Sequence, residues 1–212
     1  PAEFTPHFVT PIELNKVNPL SMVIGGAGGY WESTHRTHDN ADTPSIPVPV
    51  FIPVQGSLIN PINRPDGLSA ANRQNAIAYG GYRHGVANGA VLYAGAGSEV
   101  LVRTDFEDEL LRSMAKFPGS SVRDIVMAPD DWMTAFVIDH RSAYVTRDAG
   151  VSWSDITGNL FTVGADNLRS LLTIPSLGDD QVVVGTDSGV YVTSVSSPGS
   201  WVPLGDGLPN AP

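Results

Sequence analysis

Residues 122–160 read VRDIVMAPDDWMTAFVIDHRSAYVTRDAGVSWSDITGNL, and their punctuation decides the class of fold to expect. Short apolar runs at 123–128, 134–139, 142–147 and 151–157 alternate with Pro129-Asp130-Asp131, His140-Arg141 and Asp148-Ala149-Gly150. Pro, Asp and Gly supply the backbone conformations of tight turns, so runs bounded by them read as strands joined by hairpins. The segment is therefore expected to be one four-stranded antiparallel sheet.

The unit recurs along the chain. Residues 168–208 repeat it as LRSLLTIP, QVVVGT, GVYVTS and SWVPLGDGL. Pro129 and Pro175 are 46 residues apart, Tyr144 and Tyr191 are 47 apart, and Trp153 and Trp201 are 48 apart. Upstream, AIAYGG (76–81), AVLYAGAG (90–97), EVLVRT (99–104) and ELLRSMAKF (109–117) keep the cadence, with Gly95 preceding Asp139 by 44 residues. A first unit is HFVTP (7–11), SMVIGG (21–26), GGYWEST (28–34) and, after an insertion, VPVFIPV (48–54). Repeats of about 40–50 residues with four strands each are the sequence form of propeller blades. The expected fold is all-β, a β-propeller of about four blades in a single partial domain over 1–212, with blades at about 5–54, 75–118, 122–160 and 168–208. The stretches 35–47 and 55–74 break the period and are polar and rich in Pro, Asn and Gly, as surface loops are. Residues 106–117 have a helical alternative, with Leu110, Leu111, Met114 and Phe117 on one face, but blade register favours a strand.

Composition narrows function by exclusion. The 212 residues carry 22 Asp and Glu against 12 Lys and Arg, a formal charge of −10. Nucleic acid and anionic membrane surfaces repel such a chain. With no cysteine, disulfides, thiol nucleophiles and cysteine metal sites are excluded. No run approaches the ~18 apolar residues of a membrane span, so membrane insertion is not expected. The first residue is Pro1 rather than Met, which suggests processing or excision from a longer chain.

Thr146-Arg147-Asp148-Ala149-Gly150-Val151-Ser152-Trp153 matches Ser/Thr-x-Asp-x-Gly-x-x-Trp between the third and fourth strands of its unit. Asp148 can accept hydrogen bonds from its own turn and from Thr146, Gly150 permits positive φ, and Trp153 can pack beneath the hairpin. In this the chain resembles the Asp-box (BNR-repeat) propellers: sialidases, xyloglucanase-type glycoside hydrolases, sortilin-type receptors, photosystem-assembly factors and bacterial exported repeat proteins. The closing stretch VVVGTDSGVYVTS…SWVPLGDGLPNAP is especially similar to the bacterial members. The other units depart from the motif: Thr193-Ser194-Val195-Ser196-Ser197 has lost the aspartate, and only Arg103-Thr104-Asp105 and Glu32-Ser33-Thr34 remain upstream. The resemblance implies a structural role for the box, at the rim of the ring. It also implies a ring of six to eight blades, so four blades are expected to be completed by a longer parent or by neighbouring chains.

Several groups are candidates for a site. Asp124, Asp130, Asp131, Asp139 and Asp187 lie near strand ends, where two carboxylates facing each other would serve glycoside hydrolysis; strand-end Asp is equally a turn former. The arginine-bearing opening motif of sialidases is absent. His35, His38, Asp39 and Asp42 form the ligand-rich cluster HRTHDNAD, a weak candidate for a divalent metal, in a loop where polar residues are expected anyway. No cofactor is expected, although a structural calcium held by carbonyls would leave no trace in sequence. Trp153 and Trp201 recur at one period and read as blade core. Trp132, just after a turn, is the foremost candidate for a contact residue, followed by Tyr30 and Trp31.

With no complete catalytic set, the expectation is a non-catalytic, secreted (extracellular or periplasmic) interaction or assembly module with protein or glycan partners. A fragment of a xyloglucanase- or sialidase-type hydrolase, with its active-site blades elsewhere, and a structural subunit of a surface assembly are the alternatives.

Overall fold

In a computed structural model, residues 11–26, 29–33, 52–53, 74–106, 111–112 and 115–205 are described. They form sixteen strands and, among themselves, no helix. The first sheet holds β1 (Ile12–Leu14), β2 (Met22–Gly26), β3 (Gly29–Ser33) and β4 (Ile52–Pro53), and the last holds β13 (Leu168–Ile174), β14 (Gln181–Thr186), β15 (Val190–Ser194) and β16 (Val202–Pro203). Between them lie β5 (Gln74–Arg83), β6 (Val86–Ala96), β7 (Glu99–Arg103) and β8 (Leu111–Arg112), then β9 (Asp124–Ala128), β10 (Asp131–Ile138), β11 (Ala143–Thr146) and β12 (Ser154–Asp155). These two four-strand groups join into one eight-stranded sheet where Arg83 pairs with Asp131.

Successive residues of a strand face opposite sides of its sheet, so each group presents two cross-strand rows. One row packs on the preceding group and the other on the following group. In the second group Ile77–Ala94–Leu101 meets Val23 and Tyr30 of the first. Its reverse row, Ala78–Tyr93–Val102, meets Ile125–Val137–Tyr144 of the third. The reverse row of the third, Val126–Phe136–Val145, meets Leu171–Val184–Tyr191 of the fourth. The core is thus three stacked apolar junctions, each sandwiched between consecutive four-strand groups.

Two details differ from the sequence reading, and a third agrees with it. The strand that pairs with β2 is Ile12–Leu14 rather than 7–11, and residues 7–10 lie outside the described set. The segment 82–89 is not an open turn: β5 and β6 run on to a two-residue turn at His84-Gly85, both with positive φ. The long hairpin is held by its neighbours: His84 N donates to the Asp130 carbonyl (3.0 Å) and Gly85 N to Asp130 Oδ1 (2.7 Å). Within 106–117, Leu111 and Arg112 pair with β7 as a strand, the alternative that blade register favours.

Candidate functional site

The extended hairpin and the start of β10 build an exposed platform. Trp132 follows the Pro129-Asp130 turn and is only partly buried, its Cβ over Gly81, where any added Cβ would sit 2.8 Å away. The Arg83 guanidinium lies 5.9 Å from the Trp132 ring centroid, and its Nε is 3.4 Å from Asp131 Oδ1. Asp131 also accepts from Thr134 Oγ1 (2.7 Å), and the Trp132 carbonyl accepts from Tyr93 Oη (2.9 Å). Val86, the cross-strand partner of Arg83, is 70% exposed, whereas Tyr82 alternates to the other side of β5. A cation over an indole, a solvent-facing valine and flanking carboxylates can stack on a flat group and pair with a charged one.

The other aromatic candidates lie elsewhere. Tyr30 is fully buried, its hydroxyl donating to the Gly95 carbonyl, and Trp31 is 3% exposed. Neither offers a face to a ligand, because β3 is paired on both edges and its Tyr30 side closes the first junction. Trp201 is fully buried, with Nε1 donating to the Ile156 carbonyl (2.8 Å). Trp153 is only partly buried, edge-on to Phe117 at 5.3 Å, so its assignment to the blade core holds in part.

The turn at 146–152 is closed by side chains. Thr146 Oγ1 donates to Asp148 Oδ1 (2.8 Å) and accepts from Gly150 N (2.8 Å); Asp148 also accepts from Ser152 N (2.8 Å) and Ser152 Oγ (2.6 Å). Ala149 and Gly150 adopt φ of 54° and 85°. Partial desolvation pushes the Asp148 carboxyl up, but the Ser152 and Thr146 hydrogen bonds together hold it below the usual range.

The strand-end carboxylates are taken up by backbone and turn donors. Asp139 is 4% exposed and accepts from Ser120 N (2.7 Å), Ser120 Oγ (2.9 Å), Arg141 N (2.7 Å) and Ser142 N (2.7 Å). Burial pushes it up and these donors bring it lower still, below the ordinary value. Asp187 meets Arg169 through two bonds (2.6 and 2.9 Å) and Asn167 through one (2.7 Å); the arginine first, then the amide, hold it down at about 2. Asp124 behaves differently. Desolvation raises it although Leu171 N (2.6 Å) and Ile125 N (2.8 Å) donate to it, and its charge adds to the burial that raises Glu13 on β1.

His35, His38, Asp39 and Asp42 fall outside the described residues; among those described, no group of three His, Asp or Glu is placed to hold a metal. Two features escaped the sequence reading. Arg103 makes a buried bidentate pair with Glu32 (2.9 and 2.9 Å) and donates Nε to the Ala90 carbonyl (3.0 Å), while Tyr79 Oη donates to Glu32 Oε1. Asn15 caps its own turn at Val17 and Asn18 and reaches the Gly89 carbonyl (2.7 Å) in the next sheet. Opposite charges, Glu32 and Arg103, on the third strands of consecutive units were the available signal for the first.

Four-strand antiparallel groups packed face to face at a regular period define the chain as a β-propeller, and its structural neighbours are propellers. An ancestral GH74 enzyme is similar with a TM-score of 0.60 at 13% identity, over 94% of this chain and 26% of its own. The β-propeller domain of Cps50 (Swd1) from Myceliophteria thermophila is similar at 0.58 and 12%, over 93% and 59%. YCF48 bound to D1 peptide is similar at 0.51 and 15%, over 95% and 60%. The chain thus spans from a quarter to three fifths of the solved structures it matches. No protein-family model matches it, and no curated protein does.

Proposed function

We propose that this chain is a non-catalytic interaction module of an exported, extracellular or periplasmic protein, and that it binds a protein segment at the Arg83–Trp132 platform. The observation that carries this reading is the long β5–β6 hairpin, which sets Arg83 over Trp132 with the exposed Val86 as the cross-strand partner of Arg83, while anchored on Asp130. Rigid presentation lowers the ordering cost of binding. A propeller of similar fold has been solved with a peptide bound, which supports a peptide as the ligand class. In the same reading the 146–153 turn is an Asp-box with a structural role, as its closed ring of hydrogen bonds suggests.

Panning a random peptide library on the immobilised chain tests this. Selected peptides are expected to lose at least tenfold in affinity on Val86→Asp, which is 70% exposed and should leave the fold intact, and on Trp132→Ala. Peptides indifferent to both changes would place the site elsewhere. The hydrolase reading has one observation in its favour, the raised carboxyls of Glu13 and Asp124 on the first strands of two blades. Turnover of xyloglucan or a fluorogenic sialoside, abolished by Asp124→Asn, would establish it in place of the binding module; none is expected.

A further inference from the structure

The platform already holds a cation of its own. Arg83 on β5 and Asp131 on β10 are direct partners where the second and third blades join, and Val86 pairs with Arg83 across the hairpin. Consecutive residues of a regular strand point to opposite faces. Yet both Asp131 and Trp132 meet Arg83, at a place where β10 shifts register between Asp131 and Ala135. An indole and a carboxylate thus stand around one guanidinium. Thr134 Oγ1 (2.7 Å) and Met133 N (3.3 Å) donate to Asp131 and hold its carboxylate in place. Arg83 fills this arrangement poorly. One contact of 3.4 Å joins its Nε to Asp131, and its Cζ stands 5.9 Å from the ring centroid, near the ~6 Å limit of a cation–π contact. Arg103–Glu32 and Arg169–Asp187, by contrast, each close through two bonds of 2.6–2.9 Å. The side chains of Arg83 and Asp131 stay 46% and 35% exposed, so water reaches both.

The surroundings favour a second cation over an anion. Asp130 lies at the hairpin tip, where its Oδ1 accepts from Gly85 N, and Asp148 closes the neighbouring turn. Burial first, then the charges of Asp131 and Asp148, push the Tyr93 hydroxyl well up, and that hydroxyl donates to the Trp132 carbonyl. Among the described residues, three carboxylates therefore stand around Trp132 against Arg83 and His84, while Arg147 is turned to the Val195 and Ser196 carbonyls of the fourth blade. We propose that the Asp131–Trp132 pair is the receptor for an arginine side chain of the bound protein segment, and that Arg83 is a resident stand-in which that arginine displaces. This rests on the platform being the binding site and adds the residue that it reads. A guanidinium is planar, so it stacks on the indole while two of its nitrogens fork onto the carboxylate, a geometry that lysine does not reproduce. Arg83, its backbone paired with that of Asp131, reaches the carboxylate with Nε alone. An arginine from outside arrives without that tether. Arg83 is then an internal competitor, and it lowers the affinity of the platform by the fraction of time it occupies the site.

Titration of the tripeptide acetyl-Gly-Arg-Gly-amide into the 212-residue chain tests this, read at the Trp132 indole N–H by NMR and assigned through Trp132→Phe. The signal is expected to shift saturably with the arginine tripeptide and to stay still with its citrulline counterpart, which keeps the shape and lacks the charge. Arg83→Gln, at an exposed hairpin position, empties the site. It should tighten the tripeptide about fivefold, as loss of one exposed cation–π contact and one exposed ion pair allows. Asp131→Asn keeps an acceptor for Thr134 and should weaken the tripeptide at least about fivefold in either background. Spectra of both variants should overlay on the parent away from the platform, which separates lost binding from lost fold. A tripeptide that Arg83→Gln leaves unchanged or weakens, or that binds no better than its citrulline counterpart, would overturn the proposal. Panned peptides that depend on Val86 and Trp132 but need no arginine would overturn it as well and leave the binding module standing. A tripeptide that saturates Trp132 in a chain from which no longer peptide is selected would support the arginine receptor and sink the segment reading alone.

Discussion

Trp153 and Trp201 occupy one repeat position and differ in what surrounds them. Trp201 lies wholly inside the junction of the last two blades, whereas Trp153 keeps part of its ring in solvent beside Phe117. Truncating a fully buried aromatic costs about 3–5 kcal/mol, so Trp201→Ala should lower stability by that much in urea titration. Trp153→Ala should cost about 1–2 kcal/mol, in proportion to the smaller area removed from water. Equal losses would show that the repeat position, and not its burial, sets the energetics. Asp187 supplies a second test at this scale. Its carboxyl is held at about 2 by Arg169 and Asn167, below the ~3.9 of an unfolded aspartate. A depressed carboxyl stabilises the fold above the unfolded value, and that contribution disappears as pH falls from about 4 through about 2. In a carbon-detected NMR titration Asp187 should still be ionised at pH 3, and Arg169→Gln should return its midpoint towards 4. An unshifted midpoint would mean that the ion pair does not form in solution.

Among the elements, the hairpins depend on single residues whose backbone is left-handed. Gly80 has φ of 69°, and a Cβ there would stand 2.1 Å from Asn15 Oδ1 in the first blade. Gly80→Ala thus adds backbone strain to a collision with the Asn15 turn and should cost about 2 kcal/mol or more. The Asp148 turn is tied more loosely. Asp148→Ala removes the acceptor for Ser152 N, Ser152 Oγ and Thr146 Oγ1 in an exposed loop. A loss of about 1–2 kcal/mol is expected, with hydrogen exchange speeding at Ser152 well before global unfolding. Protection at Ser152 that survives the change would show that the backbone alone holds the turn.

For the molecule as a whole, a buried ion pair helps to close the junction between the first two blades. Arg103 and Glu32 are 4% and 6% exposed at their side chains and bond through both guanidinium ends. Removing one partner of such a pair strands the other charge in low dielectric and costs about 3–5 kcal/mol. Arg103→Met alone should cost that much, while Arg103→Met with Glu32→Leu should recover at least half. The recovery stays incomplete because Tyr79 also loses its acceptor. Additive losses in the double-mutant cycle would show that the two side chains are not coupled.

Much of this architecture is written locally. The 46–48-residue spacing of Pro129, Tyr144 and Trp153 to Pro175, Tyr191 and Trp201, and the Pro, Asp and Gly between apolar runs, determine where strands start and stop. Period-two alternation and turn dihedrals are properties of a few neighbouring residues, so the sequence carries them unaided. The tertiary structure alone decided which side of each sheet is covered. The alternation at Tyr30-Trp31 gives no hint that both rings are enclosed, and nothing local in Trp153 separates it from Trp201. The β5–β6 hairpin continues as strand to its turn at His84-Gly85, and Asp130, about 45 residues away in the next blade, receives that tip. Glu32 and Arg103, 71 residues apart, become a pair only once the blades stack. Burial and pairing across blade junctions depend on the residues of another repeat, and the local pattern of a strand does not specify which those are.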